Sequence, residues 1–169
     1  IFEFSAEDQF DYSHVMLANG SSWRRDGLGR IHREPIPGLD KLKVFSPDDI
    51  MDGVLAKGRV VVFDDDHFYM GGVFAEKLRR EGHDVLLVTP APDISTWTHK
   101  TLEQKKIQKQ LMDLGVELAT QTNLTAAETG KVELSCILTE RRVEREYDSL
   151  LLVTGRVPND RLFKSLKDD

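Results

Sequence analysis

Residues Arg59 to Pro90 constrain the fold most. An apolar run, Val60-Val61-Val62-Phe63, ends at an acidic turn, Asp64-Asp65-Asp66-His67-Phe68-Tyr69, after which Met70, Phe74 and Leu78 recur every four residues. The run reads as a strand and the recurrence as the apolar stripe of a helix. Gly82 stops that helix, and Val85 to Val88 form a second strand. The order is β-α-β.

That outline matches the first half of a dinucleotide-binding fold, whose glycine-rich turn lets backbone N–H groups and a helix N-terminus approach a pyrophosphate. Here the turn is built of carboxylates. Laid without gaps, the glycine positions fall on Asp64, Asp66 and Tyr69, whereas a two-residue insertion brings Gly71 onto the third. The second strand ends in Thr89-Pro90, where an NAD site needs an acid and an NADP site a nearby Arg. The expectation is a dinucleotide-type outline without its own NAD(P) site.

The 169 residues are enough to bury a real core. A net charge of -6 argues against a nucleic-acid surface, and no apolar run reaches the ~20 residues of a membrane span. Lys100, Lys105, Lys106 and Lys109 fall on one candidate helix, as its solvated face or, less favoured, as a partner surface. Cys136 is the only cysteine, which excludes an intrachain disulfide or a Cys-based metal cluster, and its strand position predicts a small core residue. The first residues lack a signal-peptide pattern and an initiator Met, so a cytoplasmic piece of a longer chain is expected.

Taken in order, Ser5 caps a short helical turn, and Val15 to Ala18 read as a short buried strand ending at Asn19-Gly20. Residues 21 to 43, with Gly27, Gly29, Gly38, Pro35 and Pro37, predict an extended connection between domains. Ser46 and Pro47 start a brief helix that ends at Gly53 or Gly58. Thr98 caps a longer helix carrying Leu102, Ile107, Leu111 and Leu114 on one side, closed by Gly115. Val116 to Ala119 are a third strand. Residues 124–127, 131–138 and 143–147 predict an antiparallel meander, followed by a strand at Leu150 to Val153 and a last helical stretch from Asp160 to Leu166. The expected fold class is α/β, a Rossmann-like β-α-β-α-β domain with an antiparallel β-meander.

Among candidate sites, His67 beside three Asp residues reads either as a metal ligand or, in the favoured reading, as part of an acidic helix start with Asp66 or His67 as cap and the other acids solvated. A phosphoacceptor receiver also begins with such acids, but neither the third strand nor the Thr154-Gly155-Arg156 end supplies the Asp and Lys it needs. Trp23, Arg24 and Arg25 are candidates for stacking an adenine and pairing with phosphate, or are structural. Phe68 and Tyr69 read as packing rather than an electron path. No Ser/His/Asp, Cys/His or paired-carboxylate arrangement is present.

The strand order, the meander, and the two junctions Val15-Met16-Leu17-Ala18-Asn19-Gly20 and Leu150-Leu151-Leu152-Val153-Thr154-Gly155-Arg156 resemble the NAD(P)-type domain of two-dinucleotide-domain flavoprotein reductases. The stretches Ala18 to Gly27, Pro35-Ile36-Pro37-Gly38 and Asp64 to Gly72 narrow the resemblance to the trimethylamine dehydrogenase and 2,4-dienoyl-CoA reductase group. Asn19 stands where that group usually has Thr. The resemblance implies that residues 1–43 are the end of an FAD-type domain and a linker, 44–148 a degenerate NAD(P)-type domain, and 149–169 the return to the FAD-type domain. It implies a parent with an FMN and [4Fe-4S] TIM barrel, with ADP or FAD in the FAD-type domain and an electron-transferring flavoprotein as a partner. Asn19, Gly20, Trp23, Gly155 and Arg156 are the cofactor-facing residues so implied, with no cofactor held by this chain alone. The alternative is a non-catalytic acidic interaction or metal-binding module.

Overall fold

A computed structural model describes residues 14–54 and 56–167, so the expected turn capped by Ser5 lies outside the described residues. The elements are β1 (Ser21–Trp23), α1 (Pro47–Met51), β2 (Arg59–Asp64), α2 (Met70–Arg80), β3 (Asp84–Val88), α3 (Gln104–Asp113), β4 (Glu117–Ala119), β5 (Thr122–Glu128), β6 (Lys131–Cys136), β7 (Arg142–Glu146), β8 (Ser149–Val153), β9 (Arg156–Pro158) and α4 (Arg161–Lys167). The chain divides into two compact units.

The larger unit is Trp23–Gly155. Its frame is a four-stranded sheet in the order β4-β3-β2-β8, all parallel, with Val60 opposite Val85 on one side and Ser149 on the other. Val60 and Val62 face one layer with Phe74, Leu78 and Leu111 of the helices. Val61 and Phe63 face a second layer with Leu124 and Leu134 of the meander. Burial on both faces explains why these strands are unbroken apolar runs. Each such side chain contributes about 1.5–3 kcal/mol relative to exposure. The meander is a separate antiparallel sheet, β5-β6-β7, with a register shift between Leu124 and Ala126.

Local signals place several ends as expected. Ser46 and Asp49 form a capping box on α1, with Pro47 in the first helical turn, and the helix stops at Gly53. Other expectations are corrected. Residues 15–18 form no strand and are exposed, Met16 by 97%, because the described residues supply no ladder partner there. The single helix expected from Thr98 is a 3-10 helix, Thr96–Thr101, and then α3, separated by Leu102 in a left-handed conformation. Ile107, Leu111 and Leu114 do pack on the core, and Leu102 does not. Cys136 is half-buried at the end of β6 rather than in the core, and its thiol is lowered by the Thr139 hydroxyl and neighbouring N–H groups.

Residues 24–43 are mostly irregular, as their Gly and Pro content predicts. They are nonetheless packed onto the larger unit. Ile36 and Leu39 are only 3% and 4% exposed within the meander-side core, and Ala127 donates its N–H to Pro37 O at 3.0 Å. Residues 24–43 therefore contribute side chains to the core of the larger unit rather than only connecting domains.

The smaller unit contains residues up to Ser22 and from Arg156 onward. There β1 and β9 pair as a two-stranded ribbon. Asn159 bonds both carbonyls of the first junction, its N–H to Gly20 O at 3.0 Å and its Nδ2 to Asn19 O at 3.1 Å. No helix among the described residues is long and apolar enough to cross a membrane.

Candidate functional site

The parallel strands bring the end of β2 and the end of β3 to one edge of the sheet, where ligands of open α/β folds bind. The acidic turn sits there. Asp64 Oδ1 accepts the N–H groups of Asp66 and His67, each at 3.1 Å, so the turn folds on its own first side chain. Asp65 and Asp66 both donate their N–H to Val153 O of β8, at 2.9 and 3.1 Å.

The acids are not solvated, which corrects the expectation for this turn. Asp64, Asp65, Asp66 and His67 are all buried. Their partners come from the irregular segment upstream. Asp65 accepts the backbone N–H of Ile31 at 3.1 Å and of His32 at 2.9 Å, while its Oδ1 lies 2.7 Å from His67 Nε2. Arg30 donates its Nε–H to Asp66 O at 2.7 Å and pairs with the Asp66 carboxylate at 3.2 Å. These partners offset the cost of burying the Asp65 and Asp66 carboxylates.

Two glycines make room for this arrangement. A Cβ on Gly29 would lie 2.1 Å from Asp65 Oδ2, and one on Gly71 would lie 2.4 Å from Asp64 Oδ2. Glycine is needed for close approach at both places. Neither Asp66 nor His67 caps α2. The residue before the helix is Tyr69, which makes no side-chain cap bond.

His67 has its Nδ1 3.4 Å from Thr89 Oγ1 and its Nε2 on Asp65, so both ring nitrogens face protein groups. Among the described residues no group of three His, Cys, Asp or Glu can hold a metal ion. Burial pushes the Asp64 carboxyl up to about 6, against the opposing effect of the His67 and Asp66 N–H groups. Its Oδ2 is buried beside Gly71 without a hydrogen-bond partner among the described residues.

The other candidates separate. Arg24 pairs with Asp26, which lowers the Asp26 carboxyl, and Arg25 bonds Val44 O and Asp49, which holds Asp49 at about 2. Both arginines thus serve local structure. Trp23 packs partly buried against the helix-side core and donates its N–H to Asp48. Gly155 donates its N–H to Leu28 O at 2.7 Å. Trp23 and Gly155 belong to the larger unit, and Asn19, Gly20 and Arg156 to the smaller. Sequence reasoning missed Arg30, Ile31 and His32. The spacing Gly27-Leu28-Gly29 just before them is the one local sign that the chain runs close against something.

These features define a class: an α/β domain with a four-stranded parallel sheet, an added antiparallel meander, and a sheet edge closed by its own chain. The family described as the OYE-like second alpha/beta domain matches residues 45–159, and the chain belongs to it. Dimethylamine dehydrogenase of Hyphomicrobium sp. (strain x) is 31% identical over 181 residues, covering 94% of this chain and 24% of that protein. Histamine dehydrogenase from Rhizobium sp. 4-9 is 43% identical with a TM-score of 0.93, over 99% of this chain and 26% of that one. The 6-hydroxypseudooxynicotine amine oxidase of Pseudomonas geniculata N1 is 39% identical with a TM-score of 0.94, over 99% and 25%. The chain thus spans about a quarter of the length of these relatives, and the resemblance to the trimethylamine dehydrogenase group holds.

Proposed function

We propose that this chain is the accessory, Rossmann-like NAD(P)-type domain of an amine-oxidising flavin oxidoreductase of the trimethylamine dehydrogenase type, and that it has no NAD(P) site of its own. One observation carries the second half of this reading. The place of a pyrophosphate at the end of β2 is taken by Asp64, which bonds within its own turn, and by Asp65 and Asp66, whose hydrogen bonds run to residues 30–32. The residues present do not fit a dinucleotide.

The parent supplies the chemistry. Its FMN, its [4Fe-4S] cluster and an ADP or FAD lie outside this chain, whose single Cys136 cannot hold a cluster. An electron-transferring flavoprotein is the proposed acceptor. The expected bounds of 1–43, 44–148 and 149–169 are shifted in this proposal to follow the two compact units, with residues 1–22 and 156–169 assigned to the FAD-type domain and Trp23–Gly155 to the NAD(P)-type domain. Asn19, Gly20 and Arg156 are assigned to face the ADP or FAD, whereas Trp23 and Gly155 hold local structure.

The test is anaerobic titration of the purified full-length protein, followed at the flavin absorbance. A simple secondary or tertiary amine, or histamine, is expected to bleach the flavin, and NADH to leave it oxidised. Rapid bleaching by NADH with no response to any amine overturns the proposal.

A further inference from the structure

Leu102 combines two features that each cost free energy. Its backbone is left-handed, with φ 64° and ψ 18°, at the end of the 3-10 helix, where glycine is the residue that fits without a Cβ penalty. Its side chain is 91% exposed and contributes nothing to the core. An outlier of this kind points to a use outside the fold.

The surface around Leu102 says what that use is. Trp97 is 39% exposed and its backbone N–H donates to His67 O at 2.9 Å, and Phe68, the residue after His67, is 37% exposed with its ring against Tyr69. The Trp97 ring has the Arg30 guanidinium carbon 4.2 Å and the Lys100 Nζ 4.9 Å from its centre. Lys105 and Lys106 are exposed in the first turn of α3, just past Leu102. Glu103, next in sequence to Leu102, accepts a hydrogen bond from the Tyr69 hydroxyl and faces Lys106, which leaves Lys100 and Lys105 as the cations that no nearby acid among the described residues is shown to face. A chain of net charge -6 thus concentrates cations around one apolar protrusion.

We propose that Leu102 is the knob of a docking surface for an acidic segment of a partner protein, with Trp97 and Phe68 as its apolar floor and Lys100, Lys105 and Lys106 pairing with carboxylates. A desolvated apolar centre with a charged rim is how transient protein interfaces gain both affinity and fast encounter. A nucleic acid fits less well, because it offers no aliphatic side chain to cover Leu102, whereas an acidic protein segment supplies both apolar and carboxylate groups. The proposal stands apart from the oxidoreductase reading.

The test uses the full-length protein and a fluorescein-labelled amphipathic peptide of Glu and Leu, read by fluorescence anisotropy at low salt. Leu102→Gly is expected to keep or raise the melting temperature, since Gly suits that backbone, while weakening peptide binding about tenfold. The combined Lys100→Glu, Lys105→Glu and Lys106→Glu protein is expected to lose binding. Absence of binding by the unmodified protein, unchanged binding by Leu102→Gly, or equally tight binding of phosphatidylserine vesicles or single-stranded DNA each overturns the proposal.

Discussion

The backbone N–H of His32 donates to Asp65 Oδ2 at 2.9 Å across 33 residues of sequence, and Ile31 does the same to both oxygens of that carboxylate. This single side chain joins the irregular segment to the end of β2. A carboxylate taking two backbone N–H groups and facing an imidazole is satisfied without water, which is how it persists at full burial.

The first prediction concerns Asp65 itself. Asp65→Ala leaves the Ile31 and His32 N–H groups without their acceptor and His67 without its partner, at about 1–3 kcal/mol for each buried unsatisfied group. Gly29→Ala reaches a similar end by steric means, because its Cβ meets the same carboxylate. Both are expected to lower the melting temperature by several degrees, as about 2–4 °C corresponds to 1 kcal/mol in a chain of this size. Hydrogen exchange at the Ile31 and His32 amides should rise selectively in Asp65→Ala. Protection equal to that of the unmodified protein sinks the assignment.

The second prediction is about pH. The Asp64 carboxyl is pushed by burial from 3.8 to about 6, so the folded protein holds that proton more tightly than the unfolded chain. Its contribution to stability is therefore fully present below pH ~4 and lost as pH rises through ~6. A shift of this size corresponds to about 3 kcal/mol. Asp64→Asn should flatten the stability curve between pH 4 and 6, and leave the variant at least as stable as the unmodified protein at pH ~8. Urea titrations across that range check it, and an unchanged slope for Asp64→Asn contradicts it.

The third prediction is that NADH and NADPH do not bind. A phosphate about 5 Å from one uncompensated carboxylate is opposed by roughly 3 kcal/mol at an effective dielectric constant near 20, a loss of about a hundredfold. The Gly29 to His32 backbone adds exclusion, since its donors already occupy Asp65. Calorimetric titration at low salt, beside a glycine-loop dehydrogenase as control, should give no heat of binding. A low-micromolar dissociation constant for either nucleotide defeats it.

The fourth prediction concerns truncation. Deleting residues 1–43 removes Ile36 and Leu39 from the core along with every donor to Asp65 and Asp66 from Arg30, Ile31 and His32. At about 1.5–3 kcal/mol for each buried apolar side chain, plus the stranded carboxylates, the loss approaches the whole 5–15 kcal/mol of a typical domain. The shortened chain should show no cooperative thermal transition, and a sharp one with native far-ultraviolet signal would refute the packing role of residues 24–43.

Short-range information settles much of this molecule. The Val60 to Phe63 and Leu150 to Val153 runs, the Met70-Phe74-Leu78 stripe and the Ser46-Pro47 start depend on neighbours within a turn or a strand, and their elements form where that chemistry places them. The absence of phosphate-binding glycines was legible for the same reason. The break at Leu102 was not. Leu has the polarity of a helix face, and only the neighbouring 3-10 hydrogen bonds turn its backbone left-handed.

The acidic turn divides the two sources of information most clearly. Its charge and its place between β2 and α2 follow from the sequence alone, because they need only the order of residues 59–80. Whether those carboxylates meet water or protein depends on donors more than thirty residues upstream. A segment rich in Gly and Pro carries no periodic signal of where it will lie. Only packing Ile36 and Leu39 against the meander side of the sheet brings Arg30, Ile31 and His32 onto Asp65 and Asp66, and so turns a solvated helix start into a buried lock.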